Sequence, residues 1–327
     1  MTALKHDPVM LTEVLQQLSL APGEVALDGT LGFAGHAKEM LDRVLPGGTL
    51  IGFDWDRETM DQAAEILPKS SVVLVNADYR FIPEALRFLA GGEDEGGFKI
   101  IAGQAPAGFD GFVDAILLDL GLNSQQIDDR SRGMSFLEDG PLDMRLDRSR
   151  ERTAADFLNT AAEDAIEKVL REYGEERWSR QIARVIVDRR KLRPLETTSD
   201  LVDCIFAAVP PAKRDKRIHP ATRSFQGIRI EVSGELDNLE EAIVEICGCL
   251  RQGGRIVVLT YHSLEDRAVK RAFRALVADG NFEDLNRKPW TPTQEEIGRN
   301  RRSRSAKLRA IRRIKEEKNN ERSPSAS

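Results

Sequence analysis

The sequence is poor in several features that would assign it to a particular class of protein. Its 327 residues include only three cysteines, Cys204, Cys247 and Cys249, which supply neither a disulfide framework nor a Cys-x-x-Cys metal pair. No uncharged apolar run approaches the ~18–20 residues that a membrane span needs. The first residues lack the apolar segment of a signal peptide, so we expect a cytoplasmic protein.

Excess positive charge is also absent, except at one end of the chain. The formal net charge is −6. Residues 287–327 contain 13 Lys or Arg and 5 Asp or Glu, a net of +8, which leaves −14 for residues 1–286. A basic segment on an acidic chain indicates a polyanionic partner, and a solvated, partly disordered tail is the alternative. The candidate phosphate contacts in this segment are Arg299, Arg301, Arg302 and Arg304.

The stretch Glu24–His36 combines a short apolar strand with a glycine-rich loop. Asp28 follows the strand, and Gly29, Gly32 and Gly35 come next at intervals of three, directly before a helical pattern. Glycine permits a positive φ and lets a ligand approach the backbone, while the first amides of a helix favour negative charge. The spacing differs from the Gly-x-Gly-x-x-Gly of dinucleotide sites, so by itself it does not indicate NAD.

Apolar strands alternate with helical patterns at both ends of the chain. This alternation predicts a parallel, doubly wound α/β sheet of the Rossmann-like kind. The predicted strands lie at 25–27, 49–53, 71–75, 112–118, 255–259 and 306–311. Gly253 and Gly254 predict a turn before the fifth of them, and Ser263 with Asp266 resembles a helix cap after it.

Between residues 130 and 223 the strand patterns stop. Only helices are predicted there, at 154–158, 161–172, 175–191 and 198–208. The simplest architecture is an α/β domain interrupted by an all-helical domain. We predict a first part of the α/β domain at 1–130, an inserted helical substrate-recognition domain at 131–225, and a second part with the basic tail at 226–327.

Polar residues follow five of the predicted strands, namely Asp28, Asp54, Asp78, Asp119 and His262. The carboxyl ends of parallel strands meet at one edge of a sheet, where ligands bind. Several carboxylates at one edge attract a cation and repel a pyrophosphate. No Lys or Arg occurs between residues 25 and 37, which also disfavours a phosphate. The pattern therefore favours S-adenosylmethionine over NAD as the cofactor.

Positions along the chain suggest a role for each of these side chains. Asp54 lies 19 residues after Gly35, where a carboxylate accepts the ribose hydroxyls of a bound nucleoside. Asp78 and Tyr79 are candidates for the adenine, and Asp28 and Asp119 for the sulfonium and amino-acid end. For His262, a hydrogen bond to its own backbone is the alternative to a contact with cofactor or base.

Longer motifs resemble the RsmH (MraW) family of bacterial rRNA methyltransferases. They cover the chain from His6 to about Ile311 and are Asp28–His36, Asp119–Gln126, Gly140–Arg145, Tyr173–Arg177, His219–Gln226 and His262–Arg267. The resemblance implies methyl transfer from S-adenosylmethionine to the exocyclic N4 of a cytidine in the decoding region of 16S rRNA. It implies 16S rRNA in the small ribosomal subunit or its precursor as the partner, with neither a membrane nor DNA involved.

The resemblance also assigns site residues. The cofactor contacts implied are Ala34, Gly35, His36, Asp54, Tyr79, Asp119 and Gln126. An acceptor for the hydrogens of the target amine is expected in the loop that begins at Asp119, which makes Asp119, Asn123 and Ser124 the catalytic candidates; no metal is expected.

The chain departs from the family pattern at three places. The family commonly has glycine at Ala34 and phenylalanine at Tyr79, and usually Ser-Ser-Pro-Gln where this chain has Asn123–Gln126.

Two other functions remain open at this point. One is methylation of another nucleic-acid amine, and the other is a non-catalytic ribosome assembly factor that retains a cofactor site. RNA contacts are expected from the predicted helix 175–191, which carries Arg177, Arg180 and Arg184, and from the basic tail.

Overall fold

The computed structural model describes residues 8–121, 129–148, 150–215 and 218–314, except for the side chain of Arg302. Its contacts divide the chain into two compact units, which are residues 1–121 with 238–327, and residues 122–237. We call these the sheet unit and the helical unit. The limits predicted for the insert, 131 and 225, lie inside the helical unit, and the upper limit falls within the helix Thr222–Ser233.

The described part of the sheet unit forms an eight-stranded sheet with the order β4-β3-β2-β1-β5-β6-β8-β7. The strands are β1 (Val25–Asp28), β2 (Thr49–Asp54), β3 (Val72–Asn76), β4 (Lys99–Ala102), β5 (Val113–Asp119), β6 (Leu250–Thr260), β7 (Phe282–Asp284) and β8 (Lys307–Arg313). Strands β3, β2, β1, β5 and β6 are parallel, β4 and β8 run antiparallel to them, and β7 pairs antiparallel with β8 at the outer edge. The predicted Rossmann-like α/β fold is confirmed.

The helices of the described residues follow the same chain order. They are α1 (Leu11–Leu18), α2 (Gly35–Val44), α3 (Arg57–Ile66), α4 (Ile82–Leu89), α5 (Ala154–Thr160), α6 (Glu163–Glu172), α7 (Ser179–Arg190), α8 (Thr198–Ala208), α9 (Thr222–Ser233), α10 (Leu239–Gly248), α11 (Ser263–Ala278) and α12 (Gln294–Arg299). None of the helices described is both long and apolar enough to cross a membrane.

The central strands are buried on both faces, as expected of a parallel sheet covered by helices. Every residue of β1 and β2 is buried, including the fully buried Leu27, Ile51 and Phe53. These continuous apolar runs fix the positions of the strands, so their polar last residues come to lie at the rim of the sheet.

The structure of the sheet unit differs from the sequence predictions in two respects and settles one alternative. The turn predicted at Gly253 and Gly254 does not exist as a separate turn, because β6 continues through both glycines and its pairing with β5 shifts register there. The short strands β4 and β7 were not predicted. As far as residue 314 the basic segment is ordered into α12 and β8, and β8 confirms the strand predicted at 306–311.

The helical unit packs α5 to α9 around one apolar core that includes Phe157, Leu170, Ile182 and Phe225. Capping boxes begin α5 at Thr153 and α8 at Thr197, as their sequences suggest. Helix α9 was not predicted as an element of its own, since Gly227 and several hydroxyl residues lower its helix propensity. Gly227 is needed there, because a Cβ at this position would lie 2.7 Å from the backbone nitrogen of Gly174.

Candidate functional site

Three carboxylates end three neighbouring parallel strands of the sheet unit. Asp28, Asp54 and Asp119 are the last residues of β1, β2 and β5, and β1 lies between the other two strands. All three side chains therefore project from the same edge of the sheet. We call this group the carboxylate edge.

The glycine-rich loop after β1 is tied to the carboxylate edge by backbone amides. The Thr30 amide donates a hydrogen bond to Asp28 Oδ1 at 3.1 Å, and the Gly32 amide donates to Asp54 Oδ2 at 2.9 Å. Gly35 begins α2 in close contact with Pro8, whose ring would lie 2.9 Å from an added Cβ. These contacts fix the loop across the ends of β1 and β2.

Ala34 stands in a backbone conformation that favours glycine. Its φ of 60° and ψ of 28° are left-handed, and its side chain is buried. For a residue with a Cβ this conformation costs roughly 1–2 kcal/mol. Because the family commonly has glycine here, the alanine of this chain introduces backbone strain at the start of α2.

Asp54 is held by amides on both of its oxygens. In addition to the bond from Gly32, Oδ1 accepts a hydrogen bond from the Asp56 amide at 2.9 Å. Burial nevertheless raises the pKa of Asp54 to about 6, because these hydrogen bonds only partly offset the lost hydration. The Asp54 carboxylate is thus held in a fixed orientation, but no neighbouring positive charge in the described part of the chain stabilises its ionised form.

Burial has a still larger effect on Asp28. It raises the pKa of this carboxyl to about 7, the Thr30 hydrogen bond lowers it, and the negative charges of Asp119 and Asp54 raise it further. Among the described residues no Lys or Arg forms an ion pair with any member of the carboxylate edge. A bound cation would compensate the negative charge of these carboxylates, and a bound phosphate would add to it.

Asp119 lies at the centre of a small polar network. Its amide donates to Thr30 Oγ1 at 2.6 Å, its Oδ2 lies 3.8 Å from His36 Nδ1, and the Tyr261 side chain lies beside its carboxylate. The pKa of Asp119 is raised by burial, while His36 and Tyr261 act in the opposite direction. Its Oδ1 is buried without a hydrogen-bond partner among the described residues.

His36 is oriented by a backbone contact. Its Nε2 lies 2.9 Å from the carbonyl oxygen of Val9, and since a carbonyl can only accept, Nε2 must carry the proton. Nδ1 is thereby left facing Asp119. The sequence places His36 near the cofactor, and the structure brings it to the side chain expected to be catalytic.

Tyr79 follows β3 on a short 3₁₀ helix, Tyr79–Phe81, with its side chain half-buried. Asp78 caps this helix through the Arg80 amide at 2.9 Å and forms an ion pair with the Arg80 guanidinium at 2.6 Å. The carboxylate expected to bind the adenine is therefore neutralised by Arg80. Asp78 adds no uncompensated charge to the carboxylate edge.

His262 caps a helix and is not a member of the carboxylate edge. Its Nδ1 accepts the Glu265 amide at 3.3 Å, and Glu265 Oε2 accepts the amides of Tyr261 and His262 at 2.7 and 3.2 Å. This reciprocal capping box begins α11. The cap predicted at Ser263 is thus wrong by one residue. The contacts of His262 agree with the alternative that its side chain bonds to the local backbone and not to cofactor or base.

Three predicted site residues, Asn123, Ser124 and Gln126, lie outside the described residues. Gly121 is the last one described before them, and an added Cβ there would lie 2.4 Å from the Tyr261 ring. Sequence reasoning assigned no role to Tyr261 or Thr30 in holding Asp119. The pairing of β5 with β6, in which Asp119 lies opposite Leu259, brings Tyr261 to this place.

Comparisons with known proteins agree over most of the chain. The model of the MraW methylase family matches residues 3–314. A protein of Geobacter sp. (strain M21) is 43% identical over 327 residues, covering 94% of this chain and 98% of that protein. A protein of Clostridioides difficile (strain 630) is 39% identical over 326 residues, covering 94% and 99%. Both relatives are named ribosomal RNA small subunit methyltransferase H.

Proposed function

Because the chain belongs to the MraW methylase family, we propose that it methylates the exocyclic N4 of a cytidine in the decoding region of 16S rRNA. The coarser activity, S-adenosylmethionine-dependent methylation of rRNA, follows from membership of the family and from relatives that are similar over nearly their full length. The atom, the nucleotide and the small-subunit particle as substrate belong to the proposal. So does a cytoplasmic location, where rRNA is assembled into ribosomes.

The observation that carries the proposal is the carboxylate edge beside the glycine-rich loop. S-adenosylmethionine carries a positively charged sulfonium, from which it supplies an electrophilic methyl group. Buried carboxylates with raised pKa values, and an Asp119 oxygen without a partner among the described residues, fit such a cationic ligand. They do not fit the pyrophosphate of NAD.

Each residue assigned to the cofactor has a distinct task in this proposal. Asp54 accepts the ribose hydroxyls, because its oxygens retain lone pairs after the two amide bonds. The backbone at Ala34 and Gly35 lies along the cofactor at the start of α2. Tyr79 covers the adenine from the end of β3, and Gln126 is assigned to the same ligand from the motif alone.

Asp119 has a second task, toward the target amine. The amino nitrogen of cytosine is a weak nucleophile, since its lone pair is delocalised into the ring. A hydrogen-bond acceptor at Asp119, or at Asn123 and Ser124 in the following loop, lets the nitrogen pyramidalise. Holding the amine in line with the methyl group contributes ~7–11 kcal/mol in favourable cases.

The neighbours of Asp119 provide a place for the released proton. Burial makes Asp119 a stronger base than an exposed carboxylate, and His36 Nδ1 lies 3.8 Å away. Thr30 fixes the backbone of Asp119 by accepting its amide, and Tyr261 lies beside the carboxylate. The proton leaves the nitrogen after the methyl group has transferred, and Asp119 with His36 accepts it.

The experiment is a reconstituted methylation with a panel of substrates. The protein is incubated with labelled S-adenosylmethionine and, separately, with naked 16S rRNA, small ribosomal subunits or duplex DNA, and the products are digested to nucleosides. We expect label in N4-methylcytidine from rRNA. Label in a different nucleoside or in DNA would contradict the proposed substrate, and cofactor binding without any methyl transfer would favour an assembly factor.

A further inference from the structure

Three exposed arginines lie along one side of α7 in the helical unit. Arg177 lies two residues before the first residue of the helix, and Arg180 and Arg184 follow at helical spacing. We call them the arginine row. None of the three forms an ion pair or a hydrogen bond with any residue that the structure describes.

Several other cations of the same unit are neutralised locally. Arg171 forms an ion pair with Glu167 at 3.1 Å, and Lys191 forms one with Asp188 at 2.9 Å. Arg193 forms an ion pair with Asp200. The arginine row thus keeps its charge available to a partner, although the unit as a whole has many acidic residues.

The helix beneath the arginine row is firmly packed. Ile182, Ala183 and Ile186 project from the other side of α7 into the core of the helical unit and are completely buried. With a rise of about 1.5 Å per residue, Arg180 and Arg184 are about 6 Å apart along the helix axis. This is comparable to the spacing of successive phosphates in a nucleic-acid strand.

Two motifs that the proposed active site does not use meet at the beginning of the arginine row. Gln226 Nε2 donates a hydrogen bond to the Tyr173 carbonyl at 3.3 Å. An added Cβ at Gly174 would lie 2.6 Å from the carbonyl oxygen of Arg223. This close approach fixes the backbone of the Tyr173–Arg177 motif, and with it the start of the row.

We infer that the arginine row binds the phosphate backbone of the rRNA substrate. The inference rests on the proposed function and adds to it a surface outside the sheet unit. Guanidinium groups bind phosphate oxygens through paired hydrogen bonds, and phosphate contacts position a protein on RNA without reading its sequence. The exposed Gln181 beside the row is polar, and Asp188, the nearby carboxylate, is already paired with Lys191, so the surface suits a polyanion better than an apolar protein.

The test compares two triple variants of equal charge. One variant is Arg177→Gln, Arg180→Gln and Arg184→Gln, which removes the row. The control is Arg43→Gln, Arg57→Gln and Arg87→Gln, which neutralises three exposed arginines of the sheet unit that are already paired with carboxylates. Binding of a decoding-region RNA fragment is measured at several salt concentrations, and S-adenosylmethionine binding by calorimetry.

Loss of three phosphate contacts should reduce the slope of log affinity against log salt by about 2, at ~0.7 per contact on single strands. The control should retain the slope of the unchanged protein, and both variants should bind S-adenosylmethionine normally. The variant Arg177→Lys, Arg180→Lys and Arg184→Lys should retain most of the slope, because lysine still neutralises a phosphate.

Other results would overturn the inference. Equal slopes for the row variant and the control would show that the row does not meet RNA. Weaker binding to small subunits with unchanged binding to naked RNA would assign the row to an acidic protein. In both cases the unchanged protein still binds and methylates rRNA, so the proposed function stands. The proposed function fails if the unchanged protein does not methylate cytidine N4 in rRNA, and the inference fails with it if the unchanged protein does not bind rRNA at all.

Discussion

At the scale of single residues, the account depends on carboxylates that are buried without matching cations. Asp54 shows how such a group is kept ready for a ligand, because the Gly32 and Asp56 amides orient it while burial raises its pKa. The sequence predicted this residue correctly as the end of a strand. It could not show that two amides would already occupy its oxygens, since these bonds depend on how the loop folds back over β2.

Asp54→Ala should weaken S-adenosylmethionine binding by at least ~10-fold. Each hydrogen bond to a charged group contributes ~1.5–3 kcal/mol, and the substitution also releases the Gly32 amide. Calorimetry measures the change, with Asp61→Ala as a control that removes an exposed carboxylate from an ion pair on α3. An affinity for Asp54→Ala equal to that of the control would exclude Asp54 from the cofactor site.

The raised pKa values of Asp28 and Asp54 predict a dependence of stability on pH. Both carboxyls hold protons more tightly in the folded chain than in the unfolded chain, so the free energy of unfolding should fall as pH rises from about 4 toward about 7. S-adenosylmethionine should bind more tightly over the upper part of this range, because its cation prefers the ionised carboxylates.

Asp28→Asn should separate these two effects. At pH 8 it should raise the free energy of unfolding, on the order of 2 kcal/mol, since a buried charge is removed while the acceptor for Thr30 is retained. It should weaken cofactor binding at the same pH. Thermal unfolding and calorimetry at pH 5 and pH 8 measure both. A variant that is destabilised at pH 8 would contradict the assignment.

At the scale of elements, the polar residue at the end of a strand can serve either a ligand or the next helix. His262 serves the helix, because it forms a capping box with Glu265 at the start of α11. Sequence spacing places Asp119 and His262 equally well at the ends of strands. Only the hydrogen bonds distinguish them, which is why the sequence left the role of His262 open and misplaced the cap.

His262→Ala should therefore act mainly on stability. Loss of a helix cap costs ~0.5–2 kcal/mol, and the melting temperature should fall accordingly. The turnover number measured well below the melting transition should change less than fivefold. His262→Asn, which keeps a side-chain acceptor, should recover part of the stability. A large loss of turnover with an unchanged melting temperature would indicate direct contact with cofactor or base.

The basic segment is an element of the sheet unit, and only some of its cations remain available. Lys307 and Arg309 both form ion pairs with Asp266, and Arg312 forms one with Glu283. The charge count of the sequence therefore overestimates what the segment offers to RNA. Arg299, Arg301 and Arg304 are exposed and make no ion pair with a described residue.

Replacing Arg299, Arg301 and Arg304 by Gln should lower the salt dependence of RNA binding. If all three contact phosphates, the slope should fall by about 2, and matched and mismatched RNAs should lose affinity equally. Filter binding of small subunits at several salt concentrations measures the slope. An unchanged slope would leave the arginine row of α7 as the main surface for the RNA backbone.

At the scale of the whole molecule, the sequence predicts the helices and strands that have a clear hydrophobic periodicity. It does not predict the elements that depend on tertiary contacts. Continuous apolar runs located β1, β2 and β3 to within about one residue. The edge strands β4 and β7 are short and depend on pairing with β3 and β8, so they have little signal of their own. Helix α9 contains Gly227, which its close contact with Gly174 requires. Because glycine has a low helix propensity, the sequence of α9 does not predict a helix.

The sequence predicts only part of the candidate site. The carboxylates at the strand ends follow from the order of apolar runs and polar residues along the chain. The partners of Asp119 do not, because Tyr261 comes to it only through the pairing of β5 with a strand more than 130 residues later in the chain. Long-range register of this kind cannot be obtained from local spacing.

The most direct test of the central claim is nucleoside mass spectrometry of 16S rRNA. Cells lacking this gene are compared with cells that carry the unchanged gene or the Asp119→Asn variant. We predict N4-methylated cytidine in the decoding region only with the unchanged gene, and purified Asp119→Asn should methylate at least ~10²-fold more slowly at saturating S-adenosylmethionine. The same methylated cytidine in cells without the gene, or normal turnover of the variant, would contradict the account.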